Sequence, residues 1–493
     1  MAERTYRDFT TGITQDDVLP IWMPSFLDAK NIDWLKTGYW AKLWPKVNKG
    51  IITDVPMRAM GLYQPNTWPA LVLAWGDEHK IYRVDGTDNT PVYTIDTTTF
   101  SPVKIFGIVY VSPDFYILYN SPGWQRIWRI NITNVVDDDW DEFIENWLTP
   151  ELGIPTYIPP ILRTANEEIM LPLREREVWV IDLWSPLLLF NSRFLDDRLV
   201  GITEQGTTYM LYSASGTVYA WDWASELTSA RFQLGARISK VVQKQGIDYI
   251  TSEDGQLYIW QGFWFQRVTK PRKTNRNNDN TTYGKVLSFA PLNDLQNRLS
   301  VSVQDDVYLW TDDEVKGIYR YGAILPWVAP WFHKVITQNH LWNDIDEVYD
   351  MLYSDRERRL YISYRTGSTY GIDYIDLDSL ECASEGYFVT EVFSANTSYE
   401  KEIKAIRKAT SNTNGSNAIT IYYRVDNGAW ELVRNINELQ ASITVWEPIT
   451  TANGQTFKKY RDRQYKVVFT NANGGDNTPI LHELQEFYDV INK

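Results

Sequence analysis

The chain has 493 residues, with 48 Lys and Arg against 63 Asp and Glu, for a formal net charge of −15. That balance argues against a generic nucleic-acid binder, which carries a basic face, and the single cysteine, Cys382, excludes an intrachain disulfide framework. Twenty-two Trp and 31 Tyr favour pleated sheet and large contact surfaces, because a ring buries area while its N–H or O–H stays paired.

The N-terminal stretch MAERTYRDFTTGITQDD has no apolar signal core, and no run approaches about 18 consecutive apolar residues. Neither a standard secretory route nor membrane insertion is expected. Residues 1–50 have little periodicity but many large apolar groups, Trp22, Phe26, Trp34, Tyr39, Trp40 and Trp44, set among Pro20, Pro24 and Pro45. They read as an extended arm whose aromatics are candidate assembly contacts, packing either on the rest of this chain or on a neighbouring subunit.

Residues 51–385 repeat a hairpin. A short turn followed by an aromatic-centred strand appears in EHKIYRVDG around Tyr82, GWQRIWRIN around Trp128, REREVWVIDLW around Trp179, GTVYAWDW around Tyr219, GQLYIWQG around Tyr258, DDVYLWTD around Tyr308 and RRLYISYR around Tyr361. Spacing of roughly 40 to 50 residues, with several strands per unit, is the mark of β-propeller blades. One twisted four-stranded sheet cannot bury both faces, whereas a ring of sheets stacks each face on a neighbour and leaves only short edges. The expected fold is therefore all-β: a propeller of about seven blades, six to eight, with a pair of β-sandwiches as the alternative. The unit around Trp179 is the weakest, since its preceding arm NEEIMLPL is poorly patterned.

Two segments interrupt the repeat. In VVDDDWDEFIENW, the residues Trp140, Phe143, Ile144 and Trp147 fall at helical spacing, which predicts a short amphipathic helix. The one basic cluster, TKPRKTNRNNDNTTYGK, carries Lys270, Arg272, Lys273, Arg276 and Lys285. Its Asn and Thr content reads as a long loop, and its charge makes it a candidate contact for an acidic partner surface or for phosphates.

After residue 386 the pattern changes. Strict alternation from Ile419 to Val425 marks a half-buried antiparallel strand, and VDNGAW supplies an Asn-Gly hairpin turn. Residues 386–493 read as a separate β-sandwich, jelly-roll-like, built from strands separated by polar patches.

Chemistry is sparse. There are four histidines, His79, His333, His340 and His482, and no Cys or acidic partner completes a metal signature around them. No G-x-S-x-G elbow or P-loop is present, because GITEQGTT lacks the phosphate-binding lysine. The acidic run lacks the glycine of an EF-hand loop. Glycoside hydrolysis needs two carboxylates across a sugar cleft, and RVDNGAWE is only a shortened echo of the Asp-box turn of sialidase-type propellers. No catalytic residue, metal or cofactor is expected.

The order of an aromatic arm, MRAMGLY (Met57–Tyr63) leading into IYRVDG-like hairpins, and a final sandwich ending in TPILHELQEFYDV resembles tailed-bacteriophage virion proteins. The likeness is to the propeller-built tail nozzle or hub proteins of short-tailed phages, also described as packaged-DNA stabilisation proteins. The resemblance implies a non-enzymatic subunit of a homo-oligomeric ring, commonly six copies, below the portal and its adaptor. It also implies a place in the virion tail after synthesis in the host cytoplasm. There the ring would extend and gate the channel for double-stranded DNA, without sequence recognition and without membrane insertion. An acidic wall suits such a conduit, since it does not grip passing phosphates. The alternative from another class is a carbohydrate-binding or glycan-cleaving propeller, such as a receptor-binding tail component.

Overall fold

The computed structural model describes residues 2–6, 26–33, 41–63, 71–76, 78, 80–94, 104–111, 114–121, 124–131, 141–144, 162–164, 168–173, 176–181, 188–190, 195–222, 230–244, 246–252, 257–260, 265–268, 300–303, 306–311, 316–322, 331–390, 392–393, 399–413, 417–426, 428–433, 442–445, 460–472 and 478–491. Among them there is no α-helix, and the chain is all-β.

Seven four-stranded antiparallel sheets follow one another along the sequence. Their first strands are Met57–Tyr63, Lys104–Val111, Leu162–Arg163, Leu199–Gln205, Ile238–Lys244, Ser300–Val303 and Glu347–Ser354. Each of the first six takes its remaining three strands from the residues that follow. The seventh runs Glu347–Ser354, Arg359–Thr366, Thr369–Asp376 and then Val47–Thr53, so its outer strand comes from the N-terminal segment. The expected boundary after residue 50 therefore falls inside a strand.

Bulges at equivalent places repeat with the sheets. Arg58, Phe106, Val200, Ser239 and Tyr349 are each the extra residue of a first strand. Phe143, Leu189, Arg231, Val335 and Gly50 are the extra residues of fourth strands. One added residue bends a strand and raises its twist. Repeated at one position, it bends these strands at equivalent places.

These bulges also correct the expected helix. Asp141–Ile144 is the fourth strand of the second sheet, and Trp140 and Trp147 lie outside the described residues. Phe143, as the extra residue, breaks the two-residue alternation and so imitates helical spacing. A second correction concerns the repeat. Tyr82, Trp128, Trp179, Tyr219 and Tyr258 lie on third strands, but Tyr308 and Tyr361 lie on second strands. Successive hairpins within one sheet are written alike, so the pattern finds hairpins without saying which of the three it has found.

Neighbouring sheets pack face to face. Met170, Val178 and Val180 of the third sheet share a buried cluster with Leu199, Tyr209, Leu211 and Trp221 of the fourth. Tyr212 and Val218 of the fourth pack with Ile238, Ile250 and Trp260 of the fifth. The sixth and seventh share Trp310, Ile318 and Ile336 with Val348, Leu360 and Ile362. The seventh and first meet through Tyr361 and Ile372 against Met60, Val72 and Tyr82, with the first strand of the seventh beside that of the first.

Two further sheets carry the C-terminal residues. One orders Ala2–Tyr6, Ile480–Ile491, Glu400–Ser411 and Ser442–Val445. The other orders Phe26–Lys30, Glu385–Thr390, Arg463–Asn471, Asn417–Val425 and Glu431–Leu432. Ile403, Ile406 and Leu484 of the first join Phe388, Ile421, Val467 and Phe469 of the second in one buried cluster. The expected Ile419–Val425 strand lies within Asn417–Val425 and pairs with Glu431–Leu432. The Gly428 N–H donates to the Val425 carbonyl at 2.8 Å with Asp426 at φ 47°, which centres the turn one residue before the expected Asn-Gly pair, and Asn427 lies outside the described residues.

Candidate interaction site

The expected contact residues fall mostly outside the described residues: Trp22, Trp34, Tyr39 and Trp40 of the arm, and Lys270, Arg272, Lys273, Arg276 and Lys285 of the basic segment. Phe26 opens an edge strand and pairs with Thr390 through the backbone. Trp44 is 3 % exposed and packs among Val47, Trp310 and Ile375, within the chain's own sixth and seventh sheets.

Sequence reasoning missed a different surface. The connection from the sixth to the seventh sheet, residues 337–346, ends in an exposed tip where Leu341 is 53 % and Trp342 37 % exposed. Trp342 has φ 64°, the left-handed region that a bulky side chain rarely occupies. Such a conformation persists only where its surroundings over-determine it, and here they do. Asn339 is 1 % exposed, and its Oδ1 accepts the N–H groups of Leu341 and Asn343, both at 3.0 Å. The Trp342 N–H donates to the Asn339 carbonyl at 3.0 Å, and Gln338 Nε2 donates to the Trp342 carbonyl at 2.7 Å.

The base of the tip is fixed by hydrogen bonds and an ion pair. His340 donates its backbone N–H to Asp373 Oδ2 at 2.8 Å and places Nδ1 2.8 Å from Oδ1. Burial pushes the Asp373 carboxyl up, opposed by its bonds to His340 and Tyr364. Lys30 reaches Asp344 at 3.3 Å, and Asn31 Nδ2 donates to Gln338 Oε1 at 3.5 Å, which ties the tip to the edge strand of the five-stranded sheet. The backbone that carries the exposed indole is thus set before any contact forms, which lowers the ordering cost of an interaction there. The only trace in the sequence was QNHLWND, a loop with two large apolar residues among polar ones.

Buried carboxylates bridge sheets elsewhere. Asp248 is 0 % exposed and accepts from Thr203 at 2.8 Å, Gln205 at 2.9 Å, Gln243 at 3.0 Å and the Tyr212 hydroxyl. Asp350 accepts the Met60 N–H at 2.7 Å across the junction of the seventh and first sheets, where Ser363 also donates to the Met57 carbonyl at 2.7 Å. Lys240 holds the same register position in the fifth sheet that Asp350 holds in the seventh, each directly after the first-strand bulge. Burial pushes Asp350 up to about 6, against the opposing pull of Lys240, and lowers the Lys240 ammonium.

The same economy explains the tyrosines. Tyr82 pairs with Asp54, Tyr361 with Glu357 at 3.0 Å, Tyr423 with Glu431 at 3.0 Å, and Tyr460 and Tyr465 with Glu486 at 2.6 and 2.7 Å. A chain rich in both tyrosine and acid buries ring bodies while satisfying their hydroxyls. Tyr219, in the hairpin Thr208–Trp221, accepts the Asp196 N–H at 3.2 Å, while the Asp196 carboxylate takes Ser215 and Thr217 hydroxyls at 2.5 Å. Burial raises the Asp196 carboxyl, but these hydroxyl bonds outweigh it and hold it at about 2. The turn needs Gly216, with φ 96°, because a Cβ there would lie 2.4 Å from the Ala236 carbonyl oxygen.

Among the described residues no group of three or more His, Cys, Asp or Glu side chains is disposed to hold a metal ion, and no helix is long and apolar enough to cross a membrane. No family model matches the chain, and no curated protein matches it. Among solved structures, the crystal structure of the computationally designed Ika8 protein is similar at 10% identity and a TM-score of 0.40, over 67% of this chain and 99% of that one.

Proposed function

We propose that this chain is a structural subunit of a phage tail, folded as a seven-bladed β-propeller followed by a β-sandwich. Copies form a homo-oligomeric ring, six by the resemblance, below the portal and adaptor, where the ring extends and gates the DNA channel. The observation that carries the reading is the order of parts. An N-terminal segment precedes seven four-stranded sheets and two final sheets, and its strand Val47–Thr53 completes the seventh sheet. An outer strand supplied from the opposite end of a repeat is how a ring of sheets fastens its ends without leaving an open edge.

Two features support an assembly role. The Leu341–Trp342 tip is a pre-organised apolar anchor at the junction of the ring and the final sheets. The net charge of −15 suits a conduit wall that releases phosphates. Mass measurement of the purified protein, alone and with its portal complex, tests the proposal. Closed rings are expected; a protein that stays monomeric in both and cleaves a polysaccharide would overturn it.

A further inference from the structure

We propose that the N-terminal strand Ala2–Tyr6 is exchanged between copies of this chain, each copy's strand completing the edge of a neighbour's last strand. The inference rests on the ring reading and adds the element that straps its subunits together.

The strand pairs antiparallel with the last strand over five residues, from Ala2 opposite Tyr488 to Tyr6 opposite Leu484. Among the described residues it is the edge of its sheet, held along one side only. The rest of the N-terminal segment is fastened to its own chain in several places. Phe26–Lys30 pairs with Glu385–Thr390, Ala41 bridges Leu481, Pro45 bridges Cys382, and Val47–Thr53 completes the seventh sheet. Val47–Thr53 and the bridges at Ala41 and Pro45 keep that part of the segment close to its own chain, whereas Ala2–Tyr6 is joined to it through residues 7–25 and can be handed over whole.

The chain between Tyr6 and Phe26 has the length for it. Residues 7–25 span up to roughly 60 Å when extended, at about 3.3 Å per residue. Exchange preserves every hydrogen bond and the register, so the balance between a strand on its own chain and one on a neighbour is set by effective concentration. In a closed ring each neighbour's edge is permanently close, and an exchanged strand adds cohesion between subunits without a new surface. The receiving edge is built for it. The last strand, Ile480–Ile491, is twelve residues long and keeps Glu400–Ser411 on its other side. Without an added strand it would present unpaired N–H and C=O groups, which an incoming strand satisfies by augmentation.

Cysteine pairing decides the matter. Thr5 lies opposite Gln485, and the native Cys382 is 4 % exposed and does not compete. Thr5→Cys and Gln485→Cys are produced together as separate chains, oxidised, and resolved without reductant, while native mass spectrometry reports the assembly state. The proposal expects a mixed disulfide-linked dimer from the two single variants and a ladder of linked chains from the double variant. Rings that give no mixed dimer, while the double variant closes within single chains, overturn the exchange and leave the ring standing. Monomers with an internal bridge overturn both. Glu3→Cys with Phe487→Cys, opposite in the same register, repeats the test should the first pair fail to fold.

Discussion

Asp248 offers the sharpest test of how the sheets are joined. Its carboxylate sits at 0 % exposure between the fourth and fifth sheets and takes four donors, two of them the hydroxyls of Thr203, 2 % exposed, and Tyr212, 0 % exposed. Asp248→Ala leaves those two hydroxyls without their acceptor, at about 1–3 kcal/mol each. Relief of the cost of burying a carboxylate offsets part of this, and about 2–4 kcal/mol of net destabilisation is the expected result. Asp248→Asn keeps one acceptor oxygen, and Gln243 can turn its amide to meet the new NH2 group, so about 1 kcal/mol is expected. The pH dependence has a definite sign. Burial raises the Asp248 carboxyl against its hydrogen bonds, so the folded chain holds this proton more tightly than the unfolded one. The charged carboxylate therefore costs stability as pH rises from the ordinary carboxylate value through the raised one, and Asp248→Asn gains on the parent across that window. Urea unfolding followed by tryptophan emission gives the magnitudes, and hydrogen exchange of strands Leu199–Gln205 and Ile238–Lys244 locates the loss. Ala and Asn variants of equal stability, or both within about 0.5 kcal/mol of the parent, would refute the bridging role.

Asn339→Ala frees the N–H groups of Leu341 and Asn343, costs about 1–2 kcal/mol, and weakens assembly with Trp342 still present; an unchanged ring mass would show that the tip is no contact. Asp350→Asn removes a carboxyl shifted from 3.8 to about 6, on the order of 3 kcal/mol of ionisation cost. Because the folded pKa is raised, the parent loses stability as pH climbs from about 4 to about 6, and the variant gains on it across that window in thermal midpoint. Parallel profiles would contradict this. Gly201→Ala places a Cβ 2.5 Å from Val241 Cγ2 and is expected to destabilise by about 1–3 kcal/mol through overpacking, read as a lowered urea midpoint. Arg463 forms a buried ion pair with Glu486, which is 0 % exposed; Arg463→Met leaves that carboxylate without its cation and is expected to cost about 3–5 kcal/mol, lost from the C-terminal sheets in hydrogen exchange.

Much of the architecture was legible because hairpins announce themselves locally. Alternation and turn residues placed the strands around Tyr82, Tyr219 and Tyr258, and the change of pattern after residue 386 marked the final sheets. Position within a sheet was not legible, since Tyr308 sits on a second strand in the same sequence dress that Tyr258 wears on a third. The bulge at Phe143 disguised a strand as a helix because one inserted residue breaks the two-residue period. Long-range pairing was invisible for a different reason: nothing in VNKGIIT, Val47–Thr53, says that its partner lies more than three hundred residues away. The tip at Trp342 was hidden because its meaning lies in backbone geometry, a positive φ held by Asn339 and Gln338, and composition carries no trace of that.

Closure of copies of this chain into a ring, as proposed, is open to electron microscopy of the purified protein. Closed rings of subunits are expected, each subunit showing seven radial sheets with a second lobe, with a particle mass that is a whole multiple of 57.5 kDa. Single particles of one chain at every concentration, with or without the portal complex, would contradict it.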